Sequence, residues 1–398
     1  MRVMIKPVYD AIVVGAGPGG SMAAFEIASA GSSVLLLEKD SQPGVPLCCA
    51  EGVFGPSFKS IIDIDDKWVS CKIDRAEIIA PDGEKVTFLF QGGGYILDRV
   101  VFDYDLVNRA VEAGAQLECN VVGQNPSGNS GRFDSIEVLS SDGSVKQVKT
   151  EIIIAADGVE SQIARQAGLD NRLDFNNVAA ALEYRVENIE LEDDLISFHV
   201  GCNIAPGGYV WVFPKSDNSA NVGLAISLDG RDGASSFDYL DSFMSNHFPD
   251  GEIISRHCGL LPSYTGRAMF RIGNILAVGD AARTLDSLSG AGIVNAIVSG
   301  KYAGQAAVEY LSGRVKDMAD LDKLYPGKFL DQKGADLSNY LRLRRAYEHF
   351  NDTDFSSVIK VLQKYFKSHA VQDVHAARLF IEIIKTTPRL LRLARYLI

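Results

Sequence analysis

Residues 9–40 read YDAIVVGAGPGGSMAAFEIASAGSSVLLLEKD, and that order of residue types fits one supersecondary unit. Ala11–Val14 is a short apolar run suited to a buried parallel strand. The next residues, GAGPGG, place glycines at 15, 17, 19 and 20 and satisfy G-x-G-x-x-G at Gly15, Gly17 and Gly20. Gly15 permits a tight turn, Gly17 lets the backbone approach a pyrophosphate, and Gly20 lets a helix pack close to a sheet. Ser21–Ala30 is rich in alanine and reads as that helix, whose N-terminus offers N–H groups and a partial positive charge to phosphate. Gly31 ends it. Val34–Leu37 reads as a second strand, and Glu38 at its end is placed to accept ribose hydroxyls. Gly19 and Lys39, which flank these positions, join the cofactor-binding set. Strand, loop, helix, strand and acid follow in the order a dinucleotide-binding unit requires. The unit does not by itself separate FAD from NAD.

A chain of 398 residues needs more than this unit, and its length suggests two or three lobes. A formal net charge of −12 argues against a general nucleic-acid role. No apolar run reaches the ~18 residues of a membrane-spanning helix, and the N-terminus leads into a strand rather than a signal peptide. The six cysteines show no C-x-x-C spacing, and the six histidines do not cluster, so no metal or iron–sulfur site is expected. Scattered thiols fit a cytoplasmic setting.

Two later motifs identify the dinucleotide. Residues 152–165, IIIAADGVESQIAR, run an apolar strand into Asp157-Gly158, with Ser161 and Arg165 following. Residues 275–295, ILAVGDAARTLDSLSGAGIVN, run another into Gly279-Asp280, then a turn at Gly290 and Gly292, then a helix opened by Ile293. These resemble the D-G and G-D motifs of the flavoprotein group that includes the aromatic hydroxylases. The resemblance implies FAD, with Asp280 on its ribityl chain and the helix after Gly292 aimed at the flavin pyrimidine. A helix dipole there would stabilise a reduced flavin anion. LDRVVFDYDL, residues 97–106, resembles the group's L-x-R-x-x-F-D-x-x-L helix and makes Arg99 a flavin contact. The strand end at Val121-Val122 is where such folds hold the adenine, which adds Val122.

Residues 178–270 read mostly as strands: ALEYRV, LISFHV, GYVWVF and NVGLAIS alternate or run apolar between turns. The fold class expected is α/β, a Rossmann-type FAD-binding domain with an inserted antiparallel β-sheet substrate domain and a helical C-terminal region. The boundaries expected are 1–177 for the first part of the FAD-binding domain, with an insert at 61–100, 178–270 for the substrate sheet, 271–315 for the second FAD-binding part, and 316–398 for the helical region.

Within the inserted sheet, PGGYVWVFP sets Tyr209, Trp211 and Phe213 on one face of a strand. Such a row is either core or a wall for an apolar substrate, and the inserted sheet is where a substrate would lie. The stretch matches the P-x-x-Y-x-W-x-F-P signature of the geranylgeranyl reductase family. PLCCAEG, residues 46–52, resembles that family's P-x-x-C-G-E-G loop over the flavin, bringing in Cys49, Ala50 and Glu51. The run from Gly290 to Gly300 is also similar. Three departures stand out: Cys48 where the family often has a basic residue, Ala50 for a glycine, and Ser287 for a proline whose loss would loosen its turn.

The resemblance implies an FAD-dependent reductase that saturates isolated C=C bonds of a polyprenyl chain on a lipid, with hydride from flavin N5 and a proton to the other carbon. Tyr209, Trp211 and Phe213 would line the substrate channel, and Cys49, Glu51 and Tyr209 are the candidate proton donors. The electron donor would be NADPH or a ferredoxin, since no second G-x-G-x-x-G is present. The alternatives are an FAD-dependent monooxygenase or halogenase acting on an aromatic substrate, and a flavoprotein that binds lipid without turnover. The last 58 residues hold 11 Lys/Arg against 5 Asp/Glu. In PRLLRLARYLI, Arg389, Arg392 and Arg395 share one side of a helix, opposite Leu390, Leu393, Leu397 and Ile398. This gives two readings, a helix packed on its own domain or a peripheral contact with the inner face of the membrane.

Overall fold

A computed structural model describes residues 4–47, 49–129, 131–173, 175–216, 218–228, 233–266, 269–367, 383 and 385–396. The chain divides into two compact units, each assembled from three separate segments. Cys48, Leu397 and Ile398, singled out above, lie outside the described residues.

The first unit takes residues 1–47, 99–177 and 262–338. Its six-stranded sheet runs in the order Arg271–Ile272, Ile275–Ala277, Ile152–Ala155, Ala11–Val14, Val34–Leu37, Gln116–Glu118. All pairings are parallel except that between Arg271–Ile272 and Ile275–Ala277. The four central strands are buried throughout, which is why they read as unbroken Ile/Val/Leu runs. A three-stranded antiparallel sheet, Val121–Asn129, Arg132–Ser140 and Val145–Lys149, completes the unit's β structure. Helix Pro18–Ser29 crosses helix Ile293–Leu311 backbone against backbone. A Cβ at Gly300 would lie 2.0 Å from the Gly19 carbonyl oxygen, and one at Gly304 would lie 2.9 Å from that of Ala23. Small residues at both crossing points are what allow this approach.

The second unit takes residues 48–98, 178–261 and 339–398. Its eight-stranded sheet has the order Glu252–Pro262, Val178–Glu187, Ser219–Ser227, Tyr209–Lys215, Leu195–Val200, Val69–Ile79, Lys85–Leu97, Gly52–Phe54. This differs from the boundaries expected from sequence. The insert expected at 61–100 falls almost wholly in this unit: Gly52–Phe54, Val69–Ile79 and Lys85–Leu97 are three strands of the eight-stranded sheet, joined to the rest by parallel pairing of Val69–Ile79 with Leu195–Val200. Nor does the C-terminal region stand apart. Helix Asp352–Phe366 seats Ile359 on Ala80 and Val86, and Gln363 donates to the Lys85 carbonyl at 2.8 Å.

Two of the three arginines of Pro388–Tyr396 also reach a carboxylate of their own unit. Arg389 Nε lies 2.8 Å from Asp354 Oδ1, and Arg392 Nη2 lies 2.6 Å from Oδ2 of that fully buried carboxylate. Leu390 and Leu393 pack with Ala346. Here the packed-helix reading describes the contacts made. Among the described residues no helix is long and apolar enough to cross a membrane.

One face of the second sheet packs on helix Ser236–His247. Val210 and Val212 meet Leu240, Phe243 and Met244 there. His199 joins them, its ring 4.8 Å from Phe243 and 5.2 Å from His247. Burial, with His247 adding to it, lowers the His199 pKa from 6.5 to about 4. The folded imidazole therefore resists a proton that the unfolded chain accepts. The stability it contributes is complete above pH 6.5 and falls as the pH drops toward 4, a loss of about 3 kcal/mol. Urea titrations at neutral and acid pH should show this acid loss in the parent chain and a smaller one in His199→Phe.

Candidate functional site

In the first unit the glycine turn and two helix N-termini make the candidate cofactor site. Gly15 has φ +103°, and a Cβ there would lie 2.2 Å from the Ala156 carbonyl oxygen. A Cβ at Gly20 would lie 1.9 Å from the Gly15 oxygen, so the turn admits no side chain at either position. Gly17 is different: nothing lies within 4 Å of where its Cβ would sit. It is the N-cap of Pro18–Ser29 and provides no side-chain cap. Gly292, the N-cap of Ile293–Leu311, likewise provides none. By contrast, Ser235 and Asn351 close their helices with full capping boxes. The helices that begin at Gly17 and Gly292 thus receive no side chain from their N-cap, and their first N–H groups can serve a ligand.

Glu38 is buried at the end of Val34–Leu37. Its Oε2 accepts the Ala16 N–H at 2.9 Å and its Oε1 accepts the Asp40 N–H at 3.0 Å. The carboxylate therefore braces the glycine turn, and each oxygen keeps a lone pair for a ribose hydroxyl. Lys39 beside it is exposed. The Val121 N–H donates to the Glu38 carbonyl at 3.0 Å, which sets Val122 next to the acid. Gly19 serves the helix crossing described above.

Asp157 accepts the Ile163 N–H at 2.7 Å through Oδ2, while its Oδ1 is buried without a partner. Asp280 lies in the turn Gly279–Ala282, and Gly279 and Gly290 both adopt positive φ. A Cβ at Gly292 would sit 3.6 Å from Asp280 Oδ1, so this carboxyl lies beside the start of the helix. Burial raises the pKa of both aspartates, against the pull of the Arg283 guanidinium. Arg99 is held by Asp103 through two hydrogen bonds of 2.7 Å, and its charge also bears on Asp280. Ser287 does not loosen its turn: it is buried and its hydroxyl donates to the Tyr264 carbonyl at 2.9 Å. An orphaned buried carboxyl oxygen, open space above Gly17 and two uncapped helices fit a dinucleotide.

In the second unit the strand Tyr209–Lys215 carries the aromatic row. Trp211 and Phe213 are buried and Tyr209 is half-buried. Phe198 from the neighbouring strand stands edge-on to Tyr209 at 5.4 Å and to Phe213 at 5.6 Å. Gly52 makes room for Phe213, whose Cε2 would lie 2.9 Å from a Cβ there.

On the same face of the sheet as this row lies a polar cluster that the sequence alone does not assemble. Glu51 is 1% exposed and adopts φ +68°, a left-handed conformation unusual for glutamate. Its carboxylate accepts from the ammonium of Lys215, itself 8% exposed, and from Asn221 Nδ2 at 2.7 Å. Asn221 Nδ2 also lies 3.4 Å from the Ala50 carbonyl. The Glu51 N–H lies 3.3 Å from Cys49 Sγ. Glu183, 4% exposed, accepts the indole N–H of Trp211 at 2.9 Å. The signal for these residues is present in the sequence: Glu183, Lys215 and Asn221 are polar residues in strands that are mainly apolar.

Comparison with known proteins brings the two units under one heading. Residues 177–261 match the geranylgeranyl reductase catalytic domain, and residues 10–71 match an FAD binding domain. The chain is 35% identical over 394 residues to the digeranylgeranylglycerophospholipid reductase of Methanospirillum hungatei, covering 97% of this chain and 96% of that one. It is 36% identical to the enzyme of the same name from Methanosphaerula palustris, with 97% of each covered. A solved geranylgeranyl bacteriochlorophyll reductase-like protein from Thermoplasma acidophilum superposes with a TM-score of 0.88 at 28% identity, covering 98% of this chain and 99% of its own. A flavin-dependent brominase superposes at 0.69 with 18% identity over 96% and 99%, a likeness of fold alone.

Proposed function

The chain belongs to the geranylgeranyl reductase family of FAD-dependent oxidoreductases, and from that premise we propose that it saturates isolated C=C bonds of geranylgeranyl chains carried on a glycerophospholipid. The observation that carries this reading is the aromatic face of Tyr209–Lys215, set within the segment that matches the family's catalytic domain. An isolated alkene offers no polar handle, so recognition must come from apolar contact along the chain. Tyr209, Trp211 and Phe213, with Phe198, supply a face of that kind.

The N-terminal turns of Pro18–Ser29 and Ile293–Leu311 would hold the cofactor's pyrophosphate and ring system, with Glu38 on a ribose and Asp280 on the ribityl chain. When bound and reduced, FAD supplies a hydride. The second alkene carbon then needs a proton from the protein. Glu51 is engaged as an acceptor by Lys215 and Asn221, which directs the search for the donor to Cys49 and Tyr209. The electron donor, NADPH or a ferredoxin, belongs to the same proposal. So does bilayer contact through Pro388–Tyr396, narrowed to Arg395 and the exposed Leu391 because Arg389 and Arg392 are engaged by Asp354. Co-sedimentation with anionic vesicles tests that contact: binding that survives Arg395→Glu with Leu391→Asp would sink it.

The function itself is tested anaerobically. The holoenzyme is reduced with dithionite and mixed with a digeranylgeranyl glycerophospholipid, and flavin absorbance and lipid mass are followed together. Flavin reoxidation with a gain of two hydrogens per double bond is the expected result. A flavin that stays reduced until oxygen is admitted would overturn the reading in favour of a monooxygenase or halogenase.

A further inference from the structure

Trp211, Gly223 and Glu183 lie in register across three adjacent strands, since Trp211 pairs with Gly223 and Gly223 with Glu183. They therefore share one face of the sheet. The middle position carries no side chain. A Cβ on Gly223 would fall 2.4 Å from Trp211 Cζ2, so the indole occupies the space that any other residue would fill. Lying across that gap, the ring brings its N–H to Glu183 Oε2 at 2.9 Å, two strands from its own. A tryptophan anchored only by apolar contact could rotate about its side-chain bonds. This one is fixed at both ends, by its backbone and by its single polar atom.

We propose that Glu183 is the positioning residue of the signature tryptophan, holding the Trp211 ring flat over Gly223 and so setting the wall against which the polyprenyl chain lies. The inference rests on the substrate reading above for the word polyprenyl, and on the sheet geometry alone for the rest.

The choice of a carboxyl over an amide has a consequence. Burial, first, and the neighbouring Glu51 carboxylate push the Glu183 pKa up to about 8, against the Trp211 hydrogen bond and the charges of Lys215 and Arg185. Those four residues are the groups that bear on it: Glu51 from the loop before Gly52–Phe54, Lys215 and Trp211 from the signature strand, and Arg185 from its own. Burial favours the neutral carboxylic acid, which adds no charge beside the Glu51–Lys215 pair. Above its pKa it becomes a stronger acceptor for the indole but sets a second buried negative charge near Glu51. Binding of the lipid should then weaken while the indole bond tightens.

The test uses holoenzyme labelled with nitrogen-15 tryptophan. The chain has two tryptophans, Trp68 and Trp211, so two indole N–H resonances are expected, and Trp211→Phe identifies one of them. That resonance should titrate between about pH 6 and pH 10 in the parent, and should be flat in Glu183→Gln, which keeps size and an acceptor. In steady-state assays Glu183→Gln should leave kcat and KM near the parent values at neutral pH and abolish the rise of KM with pH. Glu183→Ala should raise KM about tenfold with a smaller change in kcat. A Trp211 resonance and a KM that Glu183→Ala both leave at their parent values, or a resonance that titrates equally in Glu183→Gln, overturn the proposal. Failure of the lipid to react would overturn the substrate reading and leave the resonance experiment standing.

Discussion

Lys215→Met should destabilise the second unit by about 3–5 kcal/mol, because it leaves Glu51 as a buried carboxylate without its counter-charge. The pair is enclosed: Glu51 is 1% exposed and Lys215 is 8% exposed. Asn221 supplies one further hydrogen bond to the carboxylate, and a neutral amide does not replace an ammonium. Methionine matches the lysine stem in length, so the loss of packing is small and the effect measured is electrostatic. The double variant Lys215→Met with Glu51→Gln removes both charges and should recover most of the loss, because a buried pair is worth far less than the cost of breaking it from one side. Both tryptophans lie in this unit, so their fluorescence during urea unfolding reports it directly. A single variant within about 1 kcal/mol of the parent would mean that the pair is reached by water and is not the buried device described here.

The ion pair also shows where the sequence stops being informative. The β-α-β opening was legible almost to the residue, because glycines with steric duties, an uncapped helix and period-free buried strands each leave a local mark. The helix begins at Pro18 rather than Ser21, since proline at the first helical position needs no N–H partner. The signature strand was legible because aromatics at period two survive any context. The partners of Glu51 were not legible. Lys215 and Asn221 lie more than 160 residues from it and arrive by strand pairing, and nothing local announces which carboxylate a buried lysine will meet.

The division into units is hidden from the sequence for the same reason. Residues 52–97 join the eight-stranded sheet through a parallel pairing with Leu195–Val200, and parallel pairing across a long crossover carries no turn signal. The C-terminal arginines looked like a charged face until Asp354, over 30 residues upstream, came to sit beneath two of them. Gly223 is the instructive case. A glycine in the apolar run NVGLAIS reads as a weak point of a strand, and its purpose emerges only when Trp211 is found lying on it.

Gly17→Ala should fold as the parent does and yet lose FAD. At this position the backbone has φ −71° and ψ −179°, values alanine adopts freely, and nothing in the protein lies within 4 Å of the added methyl group. The fold therefore has no reason to object, and the unfolding free energy of the apoprotein should be unchanged or rise by less than about 1 kcal/mol. That space is where the glycine motif lets a pyrophosphate approach the first N–H groups of Pro18–Ser29. A methyl group standing there keeps the phosphate off the helix, and FAD affinity should fall about 100-fold or more, equivalent to roughly 3 kcal/mol. Gly20→Ala is the contrast, because its Cβ would lie 1.9 Å from the Gly15 carbonyl oxygen. That variant must distort the turn itself and should lose stability and cofactor together. Flavin content after purification, FAD titration of the apoprotein and a urea curve separate the two outcomes. If Gly17→Ala retains flavin at the parent level, the pyrophosphate does not approach over Gly17, and the helix N-terminus would have to be replaced as its holder.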